Sequence, residues 1–387
     1  MAMVFVQFCY KEQAMRRIVT IGLFAVVISW LSSSTANAQS DTIPIEFFGL
    51  HIHRADRGTD WPNVPFGSWR LWDANITWAD LEPAPGKWNF SRLDRYVALA
   101  KQHNVEILLP LANSPPWAAA RPNEPSAYRP GNASEPANIE DWRRYVKTVG
   151  ERYKGRIRHY QIWNEPNLER FFSGNPQKLV ELTCEAFQIL KRIDPLNEIV
   201  SAGSTPGGKD HLGYLNRFLA SGGKNCIDIV GHHFYVPKSG PEAMVPLIRG
   251  VRSVMKENGV SQKPLWNTET GWWIASSDGT PDHRIVAKGG WEKIPLDYEG
   301  NFVFRAFALA RSEGVKRFFW YAWDNEGLGL IEPTTKKPKP ITEKWRSAVN
   351  TLLGASDLHC TQEGNTWRCD FVGSDGAKTR ISWPADR

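Results

Sequence analysis

The sequence predicts a (β/α)8 barrel carrying a small antiparallel β appendage at its C-terminal end. Three observations point there. Eight short apolar runs rich in β-branched and aromatic residues recur between residues 47 and 324, and helix-period segments separate most of them. The runs are nearly continuous in apolar character, as strands of a parallel sheet buried on both faces are. Eight such units in a chain of 387 residues favour a closed barrel over an open doubly wound sheet.

The predicted strands are, in order, FFGLHIH (47–53), SWRLWD (68–73), EILLPLA (106–112), HYQIWNE (159–165), IVSAGST (199–205), IDIVGHHFY (227–235), PLWNTETGW (264–272) and RFFWYAWD (317–324). Between the first two, RADRGTDWPNVPFG shows no helix pattern. After the second, SRLDRYVALAKQHN reads as a helix opened by a Ser91/Asp94 capping box. After the fourth, PQKLVELTCEAFQILKRID opens with Pro176, which suits the first position of a helix. A last helix lies near ITEKWRSAVNTLLG, and the tail HCTQEGNTWRCDFVGSDGAKTRISW alternates as a small antiparallel sheet does. The expected division is an export segment over 1–38, a barrel over 39–355 and the β appendage over 356–387.

The export segment is read from Arg16 and Arg17, the apolar stretch Ile18 to Leu31 and an A-x-A site ending at Ala38, with Met15 as a second candidate start. About 14 apolar residues fall short of the roughly 20 that span a membrane, so no membrane span is expected in the mature chain. Removing this segment takes away Lys11, Arg16, Arg17 and Glu12 and lowers the formal net charge from +6 to +4. With no run of Lys and Arg anywhere, a nucleic-acid partner is not expected. Cys9 leaves too. The four remaining cysteines are paired as Cys360 with Cys369, flanking a hairpin tip, and Cys184 with Cys226, as an exported protein allows.

In barrels of this kind chemistry sits at the carboxyl ends of the strands. The fourth ends on Asn164 and Glu165, and the seventh carries Glu269, 104 residues further on. Two carboxyls facing one pocket suit glycosidic cleavage, where one protonates the departing oxygen and the other meets the oxocarbenium-like carbon. Glu165, beside Trp163 and expected to be held extended by Pro166, is the candidate for a raised pKa and the general acid. Glu269, with Arg70 and Tyr235 as hydrogen-bond donors, is the candidate nucleophile. One misfit accompanies this reading: Asn164 and Glu165 are adjacent, and strict alternation points neighbours to opposite faces.

The motifs ITWADLEPAPGKWNFSRLD, SPPWA, WNEPN, HFY, TETGW and FFWYAWDN, in this order over residues 45 to 330, resemble the retaining glycosidases of clan A. They are most similar to glycoside hydrolase family thirty-nine and related bacterial exopolysaccharide glycosidases. The resemblance implies a β-glycosidase without cofactor, acting as a monomer on a carbohydrate. Carried over by position, it implies Glu165 as acid/base, Glu269 as nucleophile and Asn164 on the sugar 2-hydroxyl. It also implies that Arg70 and Tyr235 orient the nucleophile, that His233 lines the site, and that Trp320 or Trp323 lies under the sugar. Trp117 and Trp272, with Trp78 and Trp273, lie in or beside strand-to-helix loops where a ring can stack on a sugar face. The long Pro-rich loop from Asn113 to Asn138 either walls a groove for internal sites or blocks one end.

Two rivals are carried forward. His51 and His53 with the strand-six histidines and Asp324 resemble a metal-dependent amidohydrolase site, though no histidine stands on strand five. A non-catalytic carbohydrate-binding protein on the same scaffold is the other.

Overall fold

The computed structural model describes residues 42–208, 210–283, 287–296 and 301–385. The expected export segment, residues 1–38, lies wholly outside the described residues. Eight parallel strands form the predicted sheet: β1 (Phe48–Leu50), β2 (Ser68–Arg70), β3 (Glu106–Leu111), β4 (His159–Ile162), β5 (Glu198–Val200), β6 (Val230–His233), β7 (Leu265–Thr270) and β8 (Val315–Trp320). Their spatial order is β5-β4-β3-β2-β1-β8-β7-β6. Parallel bridges from Val200 to Ile229 and from Ser204 to His232 close the ring between β5 and β6.

The hydrogen-bonded strands are shorter than the apolar runs that announce them. Residues such as His51, Ile52 and His53 continue the pattern of β1 after the ladder has ended, because side chains at the barrel mouth stay buried while the backbone turns away. Inside the barrel, Leu108, Val200, Ile229, Trp266 and Phe319 form a separate apolar plug. Gly49 makes room for it, since a Cβ there would stand 2.6 Å from the Phe319 ring.

The helices are α1 (Trp78–Leu81), α2 (Ser91–Gln102), α3 (Ile139–Arg152), α4 (Pro176–Ile193), α5 (His211–Ala220), α6 (Met244–Glu257), α7 (Phe302–Ser312) and α8 (Ile341–Leu352). As expected, turns replace a helix between β1 and β2. Pro176 opens α4 behind an Asn175 cap whose side chain accepts from the Lys178 N–H. The expected Ser91/Asp94 capping box does not form. Phe90 is the cap residue, Ser91 bonds Asn89, and Asp94 is taken by Arg152 at the end of α3 and by Tyr153 just after it. A capping box does form one helix earlier, between Thr77 and Asp80. The loop after β7 adds a short parallel pairing of Trp273–Ile274 with Lys293–Ile294, which the sequence pattern did not announce.

The tail forms the expected antiparallel sheet of β9 (Ser356–Glu363), β10 (Thr366–Val372) and β11 (Lys378–Pro384). It packs on α7 through Phe304, whose ring meets Phe371 and Trp383. Both disulfides form as paired from the sequence. Cys360–Cys369 joins directly opposite residues of β9 and β10, while Cys184–Cys226 ties α4 to the segment after α5 across 42 residues. The longer loop removes more freedom from the unfolded chain and is the more stabilising of the two.

Candidate active site

The two glutamates meet. One oxygen of Glu165, one of Glu269 and a ring nitrogen of His233 all lie within 4.8 Å of one another, and all three side chains are buried. That placement depends on how β4 ends. Gln161 points into the barrel, where its Oε1 accepts from Arg70 Nε (2.7 Å) and its Nε2 donates to the Ser201 carbonyl (2.9 Å). Alternation alone would then bring Trp163 inward and send Asn164 out. Instead Trp163 takes φ +70° and Glu165 takes φ +40°. The Trp163 ring consequently packs on Trp142 and Phe172, and Asn164 turns in to accept from Arg70 at 2.6 Å.

The misfit of two adjacent inward residues is thus resolved by left-handed backbone, which costs on the order of 1–3 kcal/mol at each non-glycine position. It also corrects the expectation that Pro166 holds Glu165 extended. The Glu165 N–H donates to the Gly203 carbonyl in the segment that follows β5, which holds the turned segment in place. Gly203 is needed there for a second reason: a Cβ would stand 2.4 Å from the His233 ring.

Arg70 is the organising cation. Fully buried, it donates to Gln161, to Asn164 and, at 2.7 Å, to Glu269 Oε2. Its partner is therefore Glu269 rather than the nearby Asp73. Tyr235 donates its hydroxyl to the other oxygen of Glu269 at 2.8 Å. His233 Nδ1 sits 3.0 Å from Glu165 Oε1 and 4.0 Å from Glu269 Oε1. Burial pushes the His233 pKa down to about 3, so the imidazole is neutral at ordinary pH.

Burial pushes the Glu165 carboxyl up to about 7, against a hydrogen bond from Thr205 and the nearby positive charges of Arg170 and Arg70. Burial also raises Glu269, opposed by the Arg70 guanidinium that sits on it. With both of its oxygens accepting hydrogen bonds, one from a cation, Glu269 is the better placed of the two to carry charge.

Between about 4.5 and about 7 the native chain holds a proton on Glu165 that the unfolded chain has released, so stability falls as pH rises through that window. Glu165→Gln is therefore expected to stabilise the protein at pH 8 by up to about 3 kcal/mol and to leave it nearly unchanged at pH 4. Thermal denaturation at the two pH values checks this. An equal shift at both would assign the effect to packing.

Several aromatic candidates prove to be structural. Trp320, on the outer face of β8, is fully buried among Phe307, Trp345 and Trp272. Trp272 packs on Phe302 and donates to the Ser239 carbonyl. Trp117 donates to the Glu82 carbonyl beneath the Arg144 guanidinium, and Trp78 stacks on Tyr145. Trp323 belongs to the main apolar core, and its backbone N–H donates to the His51 carbonyl.

The residue that turns toward the site is Tyr321, which lies just past β8 between the two tryptophans and clusters with Tyr235. Its ring meets those of His51 and His53, its hydroxyl donates to Asp73 at 2.6 Å, and its own titration feels Glu269 and Glu165. Trp273 does lie at the mouth, in an apolar cluster with Leu328, Tyr235, Trp291 and Tyr321. Sequence reasoning missed Tyr321, Gln161, Trp291 and Tyr128. Gln161 was findable, as the polar residue inside the apolar run of strand four. Tyr128 lies in a long loop with no periodicity to place it.

The histidine and aspartate set of the metal-dependent rival does not converge. Asp324 accepts from the backbone N–H groups of His53 and Arg54 and from the Thr59 hydroxyl, and His51 Nε2 lies 3.2 Å from the Thr268 carbonyl. Among the described residues, the one group with metal-ligand spacing is Glu165, His233 and Glu269, where the guanidinium of Arg70 already supplies the positive charge.

Comparison with known proteins extends these findings. A family model described as beta-galactosidase matches residues 71–178. The chain is 25% identical over 258 residues to a beta-xylosidase of Geobacillus stearothermophilus, covering 57% of this chain and 49% of that protein. It is also 25% identical over 190 residues to endo-1,4-beta-xylanase C of Paenibacillus barcinonensis, covering 42% of this chain and 17% of that protein. The chain thus spans half or less of these curated relatives. A family 39 glycoside hydrolase from Bacteroides cellulosilyticus WH2 has the same fold, with a TM-score of 0.66 at 18% identity over 89% of this chain and 71% of that one. A GH39 enzyme from Xanthomonas axonopodis pv. citri gives a TM-score of 0.61 at 17% identity over 86% and 73%.

Proposed function

We propose that this chain, whose fold is the (β/α)8 barrel of the clan A glycoside hydrolases, is a retaining β-glycosidase with Glu165 as acid/base and Glu269 as nucleophile. The observation that carries the reading is the approach of the two carboxyls to within 4.8 Å, oxygen to oxygen, in a buried site. Retaining enzymes hold their carboxyls about 5–5.5 Å apart, whereas inverting ones leave about 6.5–9.5 Å for a water.

In the first step a Glu269 oxygen bonds to the anomeric carbon as the glycosidic bond breaks, and the Glu165 proton passes to the departing oxygen. Arg70 and Tyr235 hold Glu269 in line for attack, and Asn164, fixed by Arg70, is placed for the 2-hydroxyl of the sugar. Once Glu269 is an ester its charge is gone, and a like charge no longer opposes the ionisation of Glu165 a few ångströms away. Glu165, now easier to ionise, takes a proton from water, which attacks the same carbon and releases Glu269. Neutral His233 beside Glu165 adds no charge in either step.

Substrates with β-linked xylose are the first to test, since both curated relatives carry xylan-related names. Two disulfides and the basic, apolar and A-x-A pattern of the first 38 residues support export. No helix among the described residues is long and apolar enough to cross a membrane.

The test is the anomer first released from a β-aryl glycoside, followed by proton NMR before mutarotation. The β anomer is expected; the α anomer would mean single displacement and would sink the nucleophile role of Glu269.

A further inference from the structure

The long loop between β3 and α3 closes one side of the barrel mouth. Its Tyr128 donates a hydrogen bond to Asp73 Oδ1 at 2.6 Å, and Tyr321, just past β8, donates to Asp73 Oδ2 at the same distance. One carboxylate therefore ties the loops after β2, β3 and β8 together. The tie is held from several directions. The Tyr128 ring meets Trp72 and Phe171, its N–H donates to Ser126, the preceding Ala127 N–H donates to the Arg170 carbonyl, and Arg129 pairs with Asp80.

The direction of the substrate follows from the chemistry. Glu165 must touch the glycosidic oxygen, so the sugar whose anomeric carbon reacts extends from that oxygen away from the β4 wall. In a ring of eight strands the wall opposite β4 is β8. The reacting sugar therefore runs toward Tyr321 and the Asp73 carboxylate, and its far end meets the tie. Lined by Asp73 and Tyr128 of the tie, with Trp72, Asn75, Asn113 and Asn132, but not by Tyr321 or either glutamate, a cavity of ≈ 260 Å³ lies on the side of the tie away from Tyr321.

We propose that the Tyr128–Asp73–Tyr321 bridge is a specificity-determining wall that confines the protein to removing single sugars from non-reducing ends, and that the cavity behind it is a blocked second sugar subsite. This rests on the retaining-glycosidase reading above. Asp73 is half-buried, and its partner Tyr321 clusters with Tyr235, whose hydroxyl bonds Glu269, so the wall stands beside the reacting carboxyls. Tyr128 stands on an exposed loop position, 43% accessible, so its removal opens the wall without emptying the core.

The test uses paired 4-nitrophenyl β-monosides and β-biosides of xylose, glucose and galactose, with released sugars identified by mass. For wild type, kcat/KM for direct release of the disaccharide is expected to lie at least about 100-fold below that for release of the monosaccharide from the matching monoside. Tyr128→Ala is expected to narrow that ratio at least about tenfold, and Tyr128→Phe, which keeps the ring and loses the tie, by less. Wild type releasing disaccharide about as fast as monosaccharide would overturn the wall while leaving the retaining mechanism intact. So would a Tyr128→Ala protein, shown folded by its melting curve, with an unchanged ratio. Wild type that turns over no aryl glycoside would sink both proposals.

Discussion

Glu269→Ala is expected to lower turnover on every glycoside, aryl or natural, by on the order of 10⁵–10⁶-fold, the scale seen when a covalent nucleophile is removed. The loss is uniform because the leaving group cannot replace a missing nucleophile. The substitution also leaves a space beside Arg70 and the Tyr235 hydroxyl, both of which donate to the lost carboxylate. A small anion suits that space, so azide or formate is expected to restore activity on substrates with good leaving groups. Since the anion attacks from the face Glu269 occupied and its adduct is not hydrolysed further, the azide product should be the α-glycosyl azide. Rescue without that anomer, or a loss smaller than about 100-fold, would place the nucleophile elsewhere.

Glu165→Ala should separate substrates by leaving group. Natural glycosides need the proton and are expected to lose about 10²–10⁴-fold in kcat/KM. Dinitrophenyl glycosides leave unaided and are expected to lose far less, with the glycosyl ester accumulating because no base activates water. Azide is expected to speed that second step and to yield the β-glycosyl azide, the opposite anomer from Glu269→Ala. The pH profile should change too. In wild type kcat/KM should fall as pH rises through about 7, where the acid loses its proton, and that limb should vanish in Glu165→Ala with dinitrophenyl substrates. Equal losses on both substrate classes would remove Glu165 from the acid/base role.

The two substitutions share one structural cause for their different expected outcomes. Glu269 sits under a guanidinium and a phenol, and Glu165 sits beside a neutral imidazole in a site that burial makes hostile to charge. Two residues of the same chemistry are thereby pushed toward different tasks by their neighbours.

Hydrophobic periodicity made the barrel legible because burial of a parallel sheet on both faces leaves few places for polar residues in a strand. It placed all eight strands in order, along with the appendage and the two carboxylate-bearing strand ends. The cysteine pairs were legible from their setting. What periodicity could not supply was direction wherever the backbone departs from regular geometry. Trp163 and Glu165 adopt positive φ, and that single departure lets Asn164 and Glu165 share a pocket that a regular strand would have split.

The tryptophans divide along the same line. An aromatic at a strand end has the same composition whether it faces a helix, as Trp320 does, or the pocket, as Tyr321 does beside it. The bond from Tyr128 to Asp73, 55 residues apart, lies further still from anything local pattern records. Local chemistry, carried by neighbouring residues, decided which strands, helices and acids this protein has. Which of its side chains meet at the mouth was decided by packing between loops distant in the chain, since such contacts depend on loop paths that short-range preference does not constrain.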